Sequence, residues 1–294
     1  MNHSRFNKIQ YDFFARHLRA DLGAVKVTQS CRWMVDTHRL GRIQDGWWFY
    51  TEQDRAAIIE LVQQQLHIDL LFDHYPDKST RVDNALSHNN EKFNALSVSN
   101  DFVLVNALQT LQLNGQEIEV GSISSLGLYI DASKINSVEH QFIVLVENLA
   151  VMANLKHLVF MDNAAHLKNA LWLYRGDQKS IQSTHQAYAF FRSFTASHQL
   201  LCFADVDPKG LEIALSSSAT KVLTVQTRLL ETFNISGIEK DFYNQIKSVN
   251  YLKSRTFSAD FQSLFSTICE YKKTIKQEHI LAHQIPVAVV ELFN

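Results

Sequence analysis

The sequence predicts an α/β protein in two parts: a mainly helical N-terminal region, then a C-terminal half built on a parallel-rich sheet flanked by helices. Three observations predict it. Short apolar runs of strand length, at Gln141–Val146, Ala170–Tyr174, Leu200–Ala204 and Lys221–Val225, are separated by stretches of helical pattern, as in a sheet with helical crossovers. Two of these runs end in acids: Glu147 after the first, Asp205 and Asp207 after the third. The first third of the chain instead carries longer helical periodicity, interrupted by a hairpin pattern.

The totals set the frame. A chain of 294 residues suits two domains and a substantial core. Its 46% hydrophobic and 20% charged residues, with only three prolines, describe a folded protein and exclude a disordered one. No apolar run approaches the ~20 residues that cross a bilayer, and Met1–Lys8 lacks the apolar core of a signal peptide. Cys31, Cys202 and Cys269 are far apart and odd in number, so neither a disulfide framework nor a metal knuckle is expected, and a reducing cytoplasm is. A net charge of −2 lacks the basic excess of a standalone DNA-binding domain. Contact with DNA would then need a localised basic groove or a partner that delivers it.

In chain order, the first element is a helix from Arg5 to about Leu22, where Phe6, Ile9, Phe13, His17 and Leu18 recur near helical spacing. Val25–Ser30 reads as a strand or turn and Cys31–His38 as a helix. Leu40–Thr51 reads as a hairpin turning at Asp45-Gly46. Thr51-Glu-Gln-Asp54 has the pattern of an N-cap for a helix over Arg55–His67. Helices followed by a two-stranded wing suggest a winged-helix-like module for residues 1–72. Trp47-Trp48 fall in that wing, where packing on a helix is a better use for them than stacking on bases.

Residues 73–135 read as a linker and connecting hairpin region. Asp73–Asn100 is polar, and its Arg81, His88 and Lys92 read as solvated surface before phosphate ligands. Phe102–Leu113 is an apolar helix or strand, Asn114-Gly115 a turn, and Glu117–Val120 alternates as a strand does. Leu126–Ile130 leads into the last region, 136–294. There, Leu149–Leu155 starts a helix after Glu147, Asn163–Asn169 has no clear pattern, and Gln182–Ser193 is helical. Pro208 fits the first turn of the helix after Asp207. From Arg228 the pattern is mainly helical to the end.

The carboxyl ends of strands are where open α/β sheets bind ligands. Asp205 and Asp207, spaced i, i+2 at such an end, offer hard oxygens to one divalent cation. Glu147, on the other acid-ended run, can complete the cage, bind a second ion or act as a general base. Mg²⁺ or Mn²⁺ held there would serve phosphodiester cleavage by neutralising charge on phosphorus and acidifying a water. Arg175 and Lys209 are candidates to hold phosphate nearby, although a first-turn lysine is more often simply exposed. The plainer reading of Asp205-x-Asp207 is a cap on the following helix. His279 and His283, spaced i, i+4, lack a third ligand and read as helix surface.

A glutamate after one strand and Asp-x-Asp after a later one resembles the toprim domain of topoisomerases, DnaG-type primases and related nucleases. Asp205-Val-Asp-Pro-Lys-Gly-Leu-Glu-Ile213 is similar to the form in the topoisomerase VI A subunit and the meiotic double-strand-break nuclease. Val146-Glu-Asn-Leu149 and Lys276-Gln-Glu-His-Ile280 resemble more closely the JetD and MksG type of Wadjet and condensin-like operons. The resemblance covers roughly the second half of the chain. It implies a metal-dependent endonuclease with Glu147, Asp205 and Asp207 as catalytic and metal-binding residues. Gly176, Lys209, Gly210 and Glu278 would be accessory, and the DNA-binding residues stay unassigned. It also implies double-stranded DNA, a homodimer, and an SMC-like ATPase with its kleisin as partners, without a membrane. One alternative is a tyrosine-dependent topoisomerase VI A-like subunit, for which Tyr11 and Tyr50 are the available tyrosines of the N-terminal half, neither in a matching motif. The other is a non-catalytic DNA-binding or regulatory subunit.

Overall fold

The computed structural model describes residues 6–77, 82, 101–121, 124–176, 184–232, 239–272 and 274–294. The chain divides into two compact units, 1–96 and 97–294. It is a mixed α/β protein, and Arg81, His88 and Lys92 lie outside the described residues.

The smaller unit begins with helix α1, Lys8–Arg19, whose N-terminus is closed by a reciprocal capping box between Asn7 and Gln10. Strand β1, Ala24–Lys26, precedes the short helix α2, Gln29–Trp33, which runs on as a π turn, Met34–His38. Strands β2, Arg42–Gln44, and β3, Trp47–Phe49, form the expected hairpin; Asp45 and Gly46 turn it with φ of 50° and 79°. The three strands make an antiparallel sheet ordered β1-β3-β2. Helix α3, Glu52–Leu66, starts at a second capping box, Thr51 with Asp54. Strand alternation separates the two tryptophans: Trp48 is fully buried against Phe14 and Tyr50, while Trp47 is exposed.

The larger unit is organised by a seven-stranded sheet. Its strands are β4, Phe102–Asn106; β7, Leu128–Asp131; β8, Phe142–Val146; β9, Leu171–Tyr174; β10, Gln199–Phe203; β11, Lys221–Val225; and β12, Val287–Glu291. The order is β12-β11-β10-β8-β9-β4-β7. The pairs β9–β8, β8–β10 and β10–β11 are parallel, and antiparallel strands extend both sides of this block. The helices are α4, Leu149–Ala153; α5, Thr184–Ser193; α6, Pro208–Ser217; α7, Thr227–Thr232; α8, Glu239–Tyr243; α9, Ile246–Lys253; α10, Ala259–Tyr271; and α11, Gln277–Ala282. The inner strands are apolar on both faces, with Val144, Leu145, Trp172, Leu173, Leu201 and Phe203 fully buried, as expected of a covered parallel sheet.

Two parts of this unit differ from the sequence expectation. The region taken as linker and connecting hairpin supplies β4 and β7 to the large sheet, around a separate hairpin of β5, Thr110–Leu113, and β6, Gln116–Glu119. Phe102–Asn106 is buried at nearly every position, so it has no alternation by which periodicity separates strand from helix. The chain also does not stay helical to its end. Val287-Ala-Val-Val-Glu291, rich in β-branched residues after Pro286, pairs antiparallel with β11. Asn163–Asn169, which had no clear pattern, lies in 3₁₀ turns over Asp162–Asn169. Cys31, Cys202 and Cys269 are all free thiols. Among the described residues no helix is long and apolar enough to cross a membrane.

Candidate metal centre

Topology picks out one place on the sheet. The chain runs from β8 to β9 on one side, then returns past β8 to β10 on the other. The strand order therefore reverses between β8 and β10, and in open α/β sheets the crevice outside the carboxyl ends at such a point is where ligands bind.

Register then fixes which side chains meet there. Val146 is level with Phe203 on one side and with Tyr174 on the other. The next residues of the three strands, Glu147, Ala204 and Arg175, leave the sheet side by side. The ladder runs one step further: Glu147 N–H donates to Phe203 O at 3.0 Å and Arg175 N–H to Val146 O at 2.8 Å. Asp205 follows one residue beyond, and its backbone N–H donates to Glu147 Oε2 at 3.3 Å. Asp207 is the N-cap of α6, its Oδ1 accepting from Gly210 N–H at 2.7 Å, with Pro208 at the first helical position. The three acids named from the sequence thus lie together, and the capping reading also holds for Asp207.

Gly210 is required by closeness. A Cβ there would lie 2.0 Å from the Asp205 carbonyl oxygen, far inside contact distance. Gly176, two residues past the end of β9, has φ of 80°, a left-handed turn that glycine adopts without strain. Lys209 points to its own helix instead, with Nζ 3.0 Å from Glu212 Oε1. Glu278 is exposed, and its Oε1 accepts from Asn148 Nδ2 at 2.5 Å, beside the residue that follows Glu147.

Protein cations already serve the acids. Arg175 Nη2 lies 3.3 Å from Glu147 Oε1. Lys276 Nζ lies 3.0 Å from Asp205 Oδ2 and 3.7 Å from Asp207 Oδ2. Asp205 Oδ1 accepts from Gln277 N–H at 2.8 Å, and Asp207 Oδ2 from Gln245 Nε2 at 2.8 Å. Burial pushes the Glu147 carboxyl above its ordinary range; Arg175 opposes the rise, and the charges of Asp205 and Asp207 add to it. Burial also raises Asp205, against the Gln277 N–H and the Lys276 ammonium. For Lys276 burial works downward, but its bond to Asp205 and the charges of Asp205, Asp207 and Asp241 outweigh it and raise the pKa.

An all-oxygen donor set suits a hard divalent cation, and the Lys276 ammonium marks a point that both Asp205 and Asp207 reach. Glu147, Asp205 and Asp207 therefore fit such an ion by chemistry. As they stand, their oxygens face protein donors, and among the described residues no group of three or more His, Cys, Asp or Glu is disposed to hold a metal ion. Lys276, Gln277, Gln245 and Asn148 were not assigned roles from the sequence. The Lys276-Gln-Glu tail stood out there, but only folding brings it to Asp205, and nothing local marked Gln245. The two candidate tyrosines lie in the smaller unit with engaged hydroxyls. Tyr11 Oη donates to Asp73 O at 2.9 Å, while Tyr50 Oη accepts from Gly23 N–H at 3.1 Å and donates to His17 O at 3.4 Å.

Residues 100–289 match a family model described as a domain of unknown function, DUF7281. None of the curated proteins matches the chain. The matched span runs from just before β4 into β12 and contains every residue of the centre from Glu147 to Glu278. Since it takes in well over half of the sequence, the chain belongs to the DUF7281 family.

Proposed function

We propose that the chain is a metal-dependent DNA endonuclease that hydrolyses phosphodiester bonds, with the larger unit a toprim-type catalytic domain and the smaller a winged-helix-like module. The observation that carries the reading is the meeting of Glu147, Asp205 and Asp207 at the β8–β10 switch point, with a cationic side chain seated between two of them. By its resemblance to JetD- and MksG-type subunits, it works in the cytoplasm as a homodimer on double-stranded DNA. An SMC-like ATPase and kleisin would select that DNA, in defence against plasmids or in chromosome maintenance.

Glu147, Asp205 and Asp207 would hold Mg²⁺ or Mn²⁺, which supplies Lewis-acid neutralisation of the phosphate and a more acidic water. Glu147 would either ligate the ion or, in place of that, accept the proton of the attacking water. Arg175 orients Glu147. The Gln277 N–H and Lys276 fix the Asp205 carboxylate, and Asp207 ties the acid loop to the start of α6. The engaged hydroxyls of Tyr11 and Tyr50 favour hydrolysis over a tyrosine-linked intermediate.

The test is supercoiled plasmid incubated with Mn²⁺. Nicking or linearisation is expected, falling about 100-fold or more in Glu147→Ala and in Asp205→Ala. Undiminished cutting by both variants would falsify the assignment.

A further inference from the structure

We infer that Lys276 stands in for a second cation at this centre, so that one divalent ion completes it and not two. The inference rests on the metal reading above and sharpens it.

The ammonium is built into the site rather than resting on it. Ile275 pairs with Val206 through both backbone bonds, Val206 N–H to Ile275 O at 2.8 Å and Ile275 N–H to Val206 O at 3.1 Å. Gln277, fully buried, donates its backbone N–H to Asp205 Oδ1 and its Nε2 to Phe203 O at 3.2 Å. Lys276 lies between these two anchors, and its Nζ spans Asp205 Oδ2 and Asp207 Oδ2. The same two carboxylates were the natural ligands for a separate ion.

Asp207 has little left to offer one. Its side chain is 3% exposed, its Oδ1 is committed to Gly210 N–H, and its Oδ2 takes Gln245 Nε2 as well as the ammonium. Glu147 and Asp205 keep more open side chains, at 22% and 17% exposure. A single ion between those two leaves Lys276 where it is and narrows the three-acid metal set proposed above to Glu147 and Asp205, with Asp207 serving the ammonium. Charge leads to the same count. Three carboxylates against Arg175 and Lys276 leave one excess negative charge. One divalent ion turns that into one positive charge, matched to a phosphodiester, whereas a second would bring the set, ammonium included, to three positive charges. Glu278, exposed on Asn148, lies outside this set.

The experiment is calorimetric titration of Mn²⁺ alone into the metal-free full-length protein, with melting curves alongside. The native chain should bind one ion. K276M should bind a second, or hold its one ion about tenfold more tightly, and should melt at a lower temperature without metal. K276R, which keeps the positive charge, should retain one ion. Two ions per native chain overturn the role of Lys276 and leave the metal reading standing, and this result needs no variant to fold. An isotherm for K276M indistinguishable from the native one does the same. No binding by either protein overturns the metal reading and this inference together.

Discussion

The two rims of the parallel block are made by the same strands but solve burial of polar groups in opposite ways. At the carboxyl ends, Glu147, Asp205 and Asp207 are matched by charge, through Arg175 and Lys276. Behind Asp205, between α6 and strands β10 and β11, a cavity of about 10 Å³ has scarcely the room of one water. At the amino ends, a cleft of about 330 Å³ is lined by Gln112, His140, His166, Lys168 and Asn169. Its buried histidine is matched by neutral bonds: His140 Nε2 accepts from Gln112 N–H at 3.0 Å, so Nδ1 donates to Asn169 O at 2.8 Å. The 330 Å³ cleft therefore lies at the rim without the convergent charge. Cleft size and the convergence of charged side chains thus pick out opposite ends of the sheet.

Substitutions that touch one rim and spare the other sharpen this contrast. The largest effect is expected at Gly210→Ala, whose methyl would drive into the Asp205 carbonyl. A loss of about 3 kcal/mol in urea unfolding should accompany weakened Mn²⁺ binding. An unchanged midpoint would show that α6 is not pressed onto the acid loop. Next comes His140→Ala, which strips a buried acceptor and donor from the amino rim. It should cost about 1–3 kcal/mol while leaving plasmid cutting intact. A matching loss of cutting at a temperature where the variant is folded would break the separation of the rims.

Acidification gives the smallest effect and acts oppositely on the two ends. The Glu147 carboxyl is raised in the folded state by burial. The folded protein then binds its proton more readily than the unfolded chain, and stability falls as pH rises from the ordinary carboxylate range through the folded value. His166 is lowered by burial, with the Lys221 charge adding to the effect. There the unfolded chain binds the proton more readily, and stability falls as pH drops from about 6.5 through the folded value. Unfolding midpoints against pH should therefore flatten on the carboxylate limb in Glu147→Gln and on the histidine limb in His166→Gln. Both variants retaining the native pH profile would mean that neither rim contributes.

Legibility from the sequence followed whether a signal was local. The cap at Thr51, the turn at Asp45-Gly46 and Pro208 at the head of α6 satisfy backbone groups within a few residues, whereas the Asn7 cap, which starts α1 at Lys8 and not at Arg5, was not read. Strands β8 to β11 were visible as apolar runs of the right length. β4 was ambiguous because a strand buried on both faces has no period, and β12 was lost among helices although its β-branched run was there to see. Within the centre, the acids were legible because each ends such a run. Their counter-ions were not. Lys276 lies 71 positions after Asp205 and Arg175 28 after Glu147, and no spacing rule links residues so far apart.

The sequence by itself determined strands β8 to β11, most of the helices and that acids stand at two strand ends, since propensity, period and caps act over a few residues. Only the tertiary structure decided that those ends are neighbours at a reversal of strand order, and that a lysine from a distant segment sits between the two aspartates. Pairing order and the partners of buried charge are set by which surfaces exclude water together, a property of the whole packed sheet.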